Sequence, residues 1–507
     1  MTPYYITTPI YYVNDRPHIG HAYTSLAADV LARWKRMQGR DVFFLTGTDE
    51  HGQKVEKAAQ DAGEEPQAFV DRVSTSFREL AVAMGFSEHT FIRTTEPRHY
   101  AACQALWLKL RDAGEIYKGE YAGWYAVRDE AFYGPDELVE RDGQKFAPSG
   151  APVEWVSEPS WFFRLSAWQD RLLALFDANP EMIAPPSRRN EVMAFVRAGL
   201  QDLSISRASF RWGVPVPDDD QHVMYVWIDA LTNYITALGY PDTENPDWRY
   251  WPADVHMVGK DILRFHAIYW PAMLMAAGLA PPRRVFAHGW WTNEGQKISK
   301  SLGNVIDPLA LVADFGLDPV RYFLLREVPF GQDGDFSRRS LTHRLNGELA
   351  DVLGNLANRT LSLIQRNCGG LLPDGPVAAE DAAILDALPG LPEAMDGFLD
   401  RQEFHLALED VFRHIRAANG YITVAAPWSL KKTDFGRMEA VLRHLHTALR
   451  TYATVLMPFM PTSMDQLLAQ LGVPEEARNL AGLATPLPAG TLLPPPSPLF
   501  QKVELPA

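Results

Sequence analysis

The chain has 507 residues, 47% hydrophobic and 22% charged, a composition that fits a globular protein of roughly three or four domains and excludes a disordered or fibrous one. Its net charge of -15 argues against non-specific binding to nucleic acid or anionic lipid, which draws on excess Lys and Arg. Two cysteines, Cys103 and Cys368, build no disulfide framework, and no basic leader or apolar run near ~20 residues occurs, so a reduced cytoplasmic setting without a membrane is expected.

In chain order, Tyr4 to Thr7 reads as a short strand, Ile19 to Met37 as a helix ending at Gly39, and Val42 to Thr46 as a buried strand bounded by Gly47. Strand, helix, strand, helix over 1–114 predicts a parallel α/β sheet. Between 115 and 221, short aromatic pieces separated by Gly and Pro predict an insertion with small β elements. The α/β texture returns over 222–289, where HVMYVW and VHMVG each read as a strand followed by a helix, and RVFAHGW as one more strand. A Gly- and Lys-containing loop opens 290–346, and from 347 to 507 the apolar spacing is helical, a bundle closed by a Pro-rich tail.

On the first long helix a turn of ~100° per residue gathers Ile19, Tyr23, Leu26, Val30 and Trp34 into one apolar stripe and sets His18, His21, Ser25 and Asp29 on the far side. The imidazoles then lie on the first turn, where unpaired N–H groups and the helix dipole favour an anion, and Gly20 between them leaves the backbone approachable. A phosphate chain suits that place. A metal is the competitor, yet spacing at i, i+3 supplies two ligands only, and Asp15, Asp49 and His51 complete no zinc pattern. GTDEHGQKV from Gly47 misses the usual phosphate loop by one inserted Gln. Far along the chain, GWWTNEGQKISKSLGN (289–304) sets Lys297 and Lys300 three apart beside Gly295 and Gly303. Alone such a loop is solvated surface; HIGH and KISKS in one chain are far more specific together.

With these signatures the chain resembles the class I aminoacyl-tRNA synthetases. In detail it is similar to the methionyl-tRNA synthetase family: PIYYVNDRPHIGHAYT, FLTGTDEHGQK, YVWIDALTNYI, HMVGKDILRFHAIYWPAML, KISKSLGN, GNLANRT and Ala-Pro-Trp at 426–428 fall in that family's order. The resemblance covers nearly the entire chain. It implies a Rossmann-like parallel-sheet catalytic domain (1–114 and 222–289) split by a connective insertion (115–221), a KISKS-bearing stem-contact domain (290–346) and an α-helical anticodon-binding bundle (347–507). The implied activity is ATP-dependent ligation of L-methionine to initiator and elongator tRNA(Met) through methionyl adenylate, with Mg2+ accompanying ATP.

The resemblance also assigns residues. His18, His21, Lys297 and Lys300 are the implied catalytic set around the triphosphate, and Gly20, Gly259 and Asp261 complete the ATP site. Asp261 accepts from ribose hydroxyls in that reading, and a helix cap is its plain alternative. For methionine the implied residues are Ile10, Tyr12, Asp49 for the ammonium, Arg207 near the carboxylate, and Trp227, Ala230, Tyr234, His266, Tyr269 and Trp270. An unbranched, polarizable thioether favours such aromatic walls, although Trp227, Ala230 and Tyr234 at helical spacing also fit a plain core. Asn355, Arg359 and Trp428 are the implied anticodon readers, by stacking and base-edge contacts. Between Arg413 and Arg450, seven Lys or Arg against two acidic residues offer phosphate contacts.

Departures from the family pattern carry expectations of their own. Many relatives hold a zinc knuckle in the insertion, but Ala126, Asp129, Ala147 and Gly150 stand at the ligand positions here, so no structural zinc is expected. Ile298 replaces the commonest KISKS methionine, a swap of like size. The chain stops soon after its bundle, and a monomer is expected. Two rivals stay open: a synthetase for leucine, isoleucine or valine, whose large editing insertion has little room in roughly a hundred residues, and a non-catalytic tRNA-binding relative, whose mark would be lost histidines or lysines.

Overall fold

The computed structural model describes residues 1–13, 16–129, 131–298 and 304–504. The chain forms two compact units, one of Met1–Ala28, Asp41–Val82 and Phe86–His288, the other of Asp29–Arg40, Ala83–Gly85 and the chain from Gly289 onward.

The first unit opens with β1 (Pro3–Thr7), β2 (Tyr11–Tyr12), the start of α1 (Ile19–Met37, whose residues from Asp29 onward belong to the second unit) and β3 (Asp41–Asp49), followed by α2 (Gln53–Ala62), α3 (Pro66–Ala83), β4 (Thr90–Arg93) and α4 (Pro97–Asp112). Its sheet has seven strands, in the order Ile183–Ala184, Val285–His288, Val255–Gly259, β1, β3, with β2 and β4 both paired to β3. Every pairing is parallel, so the carboxyl ends of β3, Val255–Gly259 and Val285–His288 bring Asp49, Gly259 and His288 to one edge. Ligands in such sheets bind outside that edge.

Two expectations need correction here. Gly47 does not bound a strand: β3 runs on to Asp49, and a Cβ at Gly47 would stand 2.1 Å from the Ile92 carbonyl oxygen, so this glycine admits the close approach of β4. On α1 the stripe of Ile19, Tyr23, Leu26, Val30 and Trp34 is buried as expected, but Ser25 and Asp29 are buried too. Ser25 Oγ lies 2.7 Å from the Tyr11 hydroxyl, and Asp29 is ion-paired, so the helix is covered on more than one face.

The insertion is built on β5 (Ile116–Ala126), paired antiparallel with Glu154–Phe163, and a small hairpin of Val139–Arg141 and Gln144–Phe146. The helices α5 (Gln169–Ala178) and α6 (Pro186–Arg197) follow, then α7 (Val226–Thr236) and α8 (Trp270–Ala276). HVMYVW is strand only as far as Met224; Val226 and Trp227 already belong to α7, whose first turn carries Asp229, a favourable charge at a helix start.

The second unit holds the hairpin Trp291–Asn293 and Gln296–Lys297, joined to Gly334–Phe336, then α9 (Pro308–Phe315), α10 (Leu317–Arg326) and α11 (Arg338–Arg344). A π-helical stretch, Leu345–Gly354, runs into α12 (Asn355–Asn367), and the bundle continues through α13 (Ala382–Leu385), α14 (Leu391–Asp400), α15 (Phe404–Ala425), α16 (Pro427–Thr433), α17 (Phe435–Leu456) and α18 (Pro461–Gln470). In α15 the spacing of Phe404, Leu408, Val411, Phe412, Ile415 and Ile422 makes one buried stripe. The Pro-rich tail is pinned along α12, where Gln365 Nε2 donates to the Leu493 carbonyl at 2.9 Å. Among the described residues no helix is long and apolar enough to cross a membrane.

Candidate functional site

Pro17 and His18 lead directly into α1, leaving its first N–H groups to be satisfied locally. The Gly20 N–H donates to His18 Nδ1 and the His18 N–H to His21 Nδ1, each at 3.0 Å. Because each Nδ1 accepts, each neutral ring carries its proton on Nε2, so the chain fixes both imidazoles as Nε2–H donors. The rings lie 4.0 Å apart between centroids. Gly20 serves a purpose the sequence did not reveal: a Cβ there would be 2.9 Å from the His18 ring. His288, also missed, binds Thr24 Oγ1 through Nε2 at 2.6 Å and so ties α1 to the end of its strand.

Gly259 ends its strand, and an added Cβ would stand 2.5 Å from Asp261 Oδ1, so the exposed Asp261 side chain folds back over it. Asp261 is not a helix cap; it lies within the turn Lys260–Ile262. Lys297 ends the hairpin of the second unit, and Lys300 lies outside the described residues.

Several expected methionine residues meet in the first unit. The Tyr234 hydroxyl donates to His266 Nε2 at 2.7 Å while His266 Nδ1 donates to the Ile262 carbonyl at 2.9 Å. Burial holds His266 down at about 4, so it is neutral at pH 7, and burial also pushes the Tyr234 phenol far up. Trp270 is buried 6.2 Å from the Tyr234 ring, and Ala230 is buried on the same helix as Tyr234. Trp227 stacks on Phe265 at 3.5 Å, and Phe265 meets Tyr269 edge-on at 5.3 Å. Tyr12 is the register partner of Asp49, and its hydroxyl donates to the His51 carbonyl at 2.9 Å. Ile10 packs against the main core. Arg207 donates to Ser204 Oγ and the Ser206 carbonyl, with its guanidinium 4.1 Å from the Tyr225 ring.

Beside Asp49 lies a cluster that the sequence suggested only through His51. Both oxygens of Asp229 take an imidazole at 2.7 Å, His51 Nδ1 on one and His99 Nε2 on the other. Burial alone would raise Asp229, but the imidazoles, His51 first, outweigh it and hold the carboxyl below its ordinary value. His99, Cys103 and Asp229 also have the donor types of a metal site. Zinc ligands at ~2.0–2.1 Å in a tetrahedron stand roughly 3.3 Å apart, whereas an N and an O at 2.7 Å share a proton. Burial, with the Asp229 charge, keeps the Cys103 thiol protonated. The cluster is a hydrogen-bond network.

Residues 4–361 match the family described as tRNA synthetases class I (M), and residues 372–505 match the anticodon binding domain of methionyl tRNA ligase. The methionine–tRNA ligase of Mesorhizobium japonicum is 54% identical over 512 residues, covering 99% of this chain and 98% of that protein. The chain belongs to the methionyl-tRNA synthetase family. The Rickettsia conorii methionine–tRNA ligase is likewise 54% identical, with 99% of both chains covered. Mycobacterium tuberculosis methionyl-tRNA synthetase in complex with methionyl-adenylate superposes with a TM-score of 0.97 at 50% identity, covering 99% of this chain and 100% of that one. The apo form of the same enzyme gives 0.91 at 46% identity, covering 100% and 99%.

In this synthetase the expected anticodon readers fall in the second unit. Asn355 and Arg359 stand one turn apart on α12, and the Arg359 guanidinium lies 5.3 Å from the centroid of the Trp428 ring on α16. Trp428 is 40% exposed, a stacking surface of the kind unpaired bases use. Ala426, two residues before it, adopts φ 45°, a left-handed conformation strained for a residue with a Cβ, and this turns α15 into α16. The basic run from Arg413 to Arg450 is not one phosphate-facing surface. Arg437 pairs with buried Asp381, Arg450 donates to the Thr485 and Gly482 carbonyls, and Arg413 pairs with Asp410. Exposed Lys431 and Lys432 remain on α16 beside Trp428.

In the insertion Ala126, Asp129, Ala147 and Gly150, the positions compared above with a zinc knuckle, form two tight turns. Asp129 N–H donates to the Ala126 carbonyl at 3.2 Å and Gly150 N–H to that of Ala147 at 2.8 Å. Ala126 and Ala147 instead join Ala151 and Val153 in a small apolar cluster, and the Asp129 carboxylate is taken by the Tyr133 and Ser149 hydroxyls.

Proposed function

We propose that the first unit of this synthetase binds methionine and ATP across the carboxyl edge of its parallel sheet and joins them as methionyl adenylate. The observation that carries this reading is the backbone-fixed pair of Nε2–H donors, His18 and His21, on the first turn of α1. The methionine carboxylate attacks the α-phosphorus, the bond to the bridging oxygen breaks and pyrophosphate leaves; a hydroxyl of the terminal tRNA ribose then takes the methionyl group and AMP leaves. Such chemistry needs positioning and charge neutralisation rather than a protein nucleophile. His18 and His21 donate to the polyphosphate, Lys297 and Lys300 neutralise it together with Mg2+, and Asp261 accepts from the ribose. Asp49 takes the ammonium of methionine, and Tyr12, Trp227, Ala230, Tyr234, His266, Tyr269 and Trp270, with Ile10, enclose its side chain. Arg207 completes the set near the carboxylate. In the bundle, Trp428 stacks on an anticodon base while Asn355 and Arg359 read base edges.

The test pairs two assays on two proteins. The wild type catalyses methionine-dependent pyrophosphate exchange and methionylates tRNA(Met). Trp428→Ala keeps the exchange rate and loses about 10–100-fold in kcat/KM for tRNA, the worth of one stacked base. Exchange driven by leucine or valine but not methionine, or tRNA charging untouched by Trp428→Ala, overturns the corresponding half of the reading.

We also propose that the insertion folds without zinc, because two alanines, a glycine and a committed aspartate cannot supply a ligand set. Metal analysis of the purified enzyme is expected to return far less than one zinc per chain, with exchange activity unchanged after dialysis against a chelator and restoration of Mg2+. Stoichiometric zinc that resists dialysis refutes it.

A further inference from the structure

The network beside Asp49 closes on itself. His51 and His99 each hold one oxygen of Asp229, and His51 Nε2 lies 2.8 Å from the hydroxyl of Tyr100, the residue after His99 on α4. Asp229, His51 and His99 are all buried. An ionised carboxylate only accepts, so both imidazoles donate to it; in the neutral His51 ring Nε2 is then the acceptor and Tyr100 donates to it. Three segments far apart in sequence are thereby fastened: the loop after β3 through His51, α7 through Asp229, and α4 through His99 and Tyr100. His99 Nδ1 makes a second link to α7, 3.0 Å from Thr236 Oγ1.

What this ring holds is the segment that carries Asp49. The residue after Asp49 is fixed as firmly as His51: Glu50 receives Arg93 Nε at 2.7 Å and Nη2 at 3.0 Å, with Thr48 Oγ1 at 2.8 Å. The Glu50 carbonyl accepts from Trp212 Nε1 at 2.6 Å, and that of His51 from Tyr12. Both residues that follow Asp49 are thus held by side-chain and backbone bonds on each side of the loop. Asp229 meanwhile stands on α7 between Trp227 and Ala230, so its bonds set how far those walls lie from the Asp49 loop. A misplacement of such groups by ~1 Å costs about a hundredfold.

We infer that His99, acting through Asp229 and His51, is a positioning residue for methionine, fixing the ammonium-binding loop at Asp49 against the helix that carries Trp227 and Ala230. This rests on the reading of Asp49 and α7 as the methionine site. His99 and Tyr100 touch no substrate; both lie on α4, which the motifs of the family signature leave out, and their effect passes through the ring.

The test measures pyrophosphate exchange with methionine and ATP varied separately. His99→Leu keeps the bulk and removes the donor to Asp229; it is expected to raise the methionine KM about tenfold or more, with the ATP KM within about twofold. His99→Gln, which returns an N–H donor, restores most of the loss. Tyr100→Phe, milder and further from the core, raises the methionine KM about threefold with an unchanged unfolding midpoint, and keeps the inference testable should His99→Leu fold poorly. A methionine KM within twofold of wild type in folded His99→Leu or Tyr100→Phe overturns it. So does a uniform loss in both KM values and stability that His99→Gln does not rescue. Asp49→Asn, run in parallel, separates the two readings: if it leaves the methionine KM unchanged, the site assignment itself has failed.

Discussion

Replacing His21 with alanine is expected to lower the rate of methionine-dependent pyrophosphate exchange about 10²–10³-fold while leaving both KM values within a few-fold. The His18 N–H donates into His21 Nδ1, so the ring cannot turn over without losing that bond, and its Nε2–H keeps one direction. Tyr11 packs edge-on against the ring at 4.8 Å and Phe77 at 5.2 Å, which restricts it further. When the α-phosphorus becomes pentacoordinate, charge moves toward the leaving pyrophosphate, and a donor already in place strengthens there without reorganising. Ground-state binding of the triphosphate is shared with His18 and the lysines, so the loss falls on kcat. Removing the ring also strips the His18 N–H of its acceptor, about 1 kcal/mol of helix-start stability, and an unfolding midpoint separates that loss from the kinetic one. Exchange within threefold of wild type would show that the imidazole does not act in the transition state.

How much of this was legible depended on whether a feature was local. The bounds of α1 came out of the sequence because both signals are local, an apolar repeat within it and Gly39, at φ 78°, just past its end. The core of β3 was equally plain from VFFLT. Its end was misread because glycine has two uses: Gly47 looked like a terminator, and it is a strand residue kept bare for the Ile92 carbonyl. Val226 and Trp227 read as strand from their side chains, yet the ladder to Ser206 stops at Met224 and the helix starts. Burial of Ser25 and Asp29 lies beyond any helical periodicity, since an apolar stripe reports one covered face only. The ring through His99 is less accessible still, because its bonds join residues 130 and 178 positions apart. The basic run failed for the same reason, its charges being taken up by partners such as Asp381 that sequence proximity does not suggest. Motifs gave the chemistry; long-range pairing gave the supports.

Removing the guanidinium at 321 is expected to cost the fold several kcal/mol, about 3–5. Arg321 and Asp29 are both wholly buried in the second unit, Nη2 to Oδ2 at 2.7 Å. The other donors of the fork go to the Phe459 carbonyl at 2.9 Å, the Met84 carbonyl at 2.9 Å and the Pro458 carbonyl at 2.8 Å, so one side chain fastens α10, the turn after α3 and the segment before α18. Burial pulls the guanidinium below its ordinary value and Asp29 pulls it back up. Arg321→Met fills the volume but strands those carbonyls and leaves Asp29 to Arg33, whose side chain is partly exposed. Breaking a buried pair from one side costs about 3–5 kcal/mol, where a hydrophobic replacement of both partners is far milder. The expected order of urea midpoints is therefore wild type, then Arg321→Lys, which returns charge without the planar fork, then Arg321→Met. Asp29→Leu combined with Arg321→Met loses less than the two single losses added, because the pair is coupled. An unfolding free energy for Arg321→Met within about 1 kcal/mol of wild type would mean that water reaches the stranded groups and that the pair contributes little to the fold.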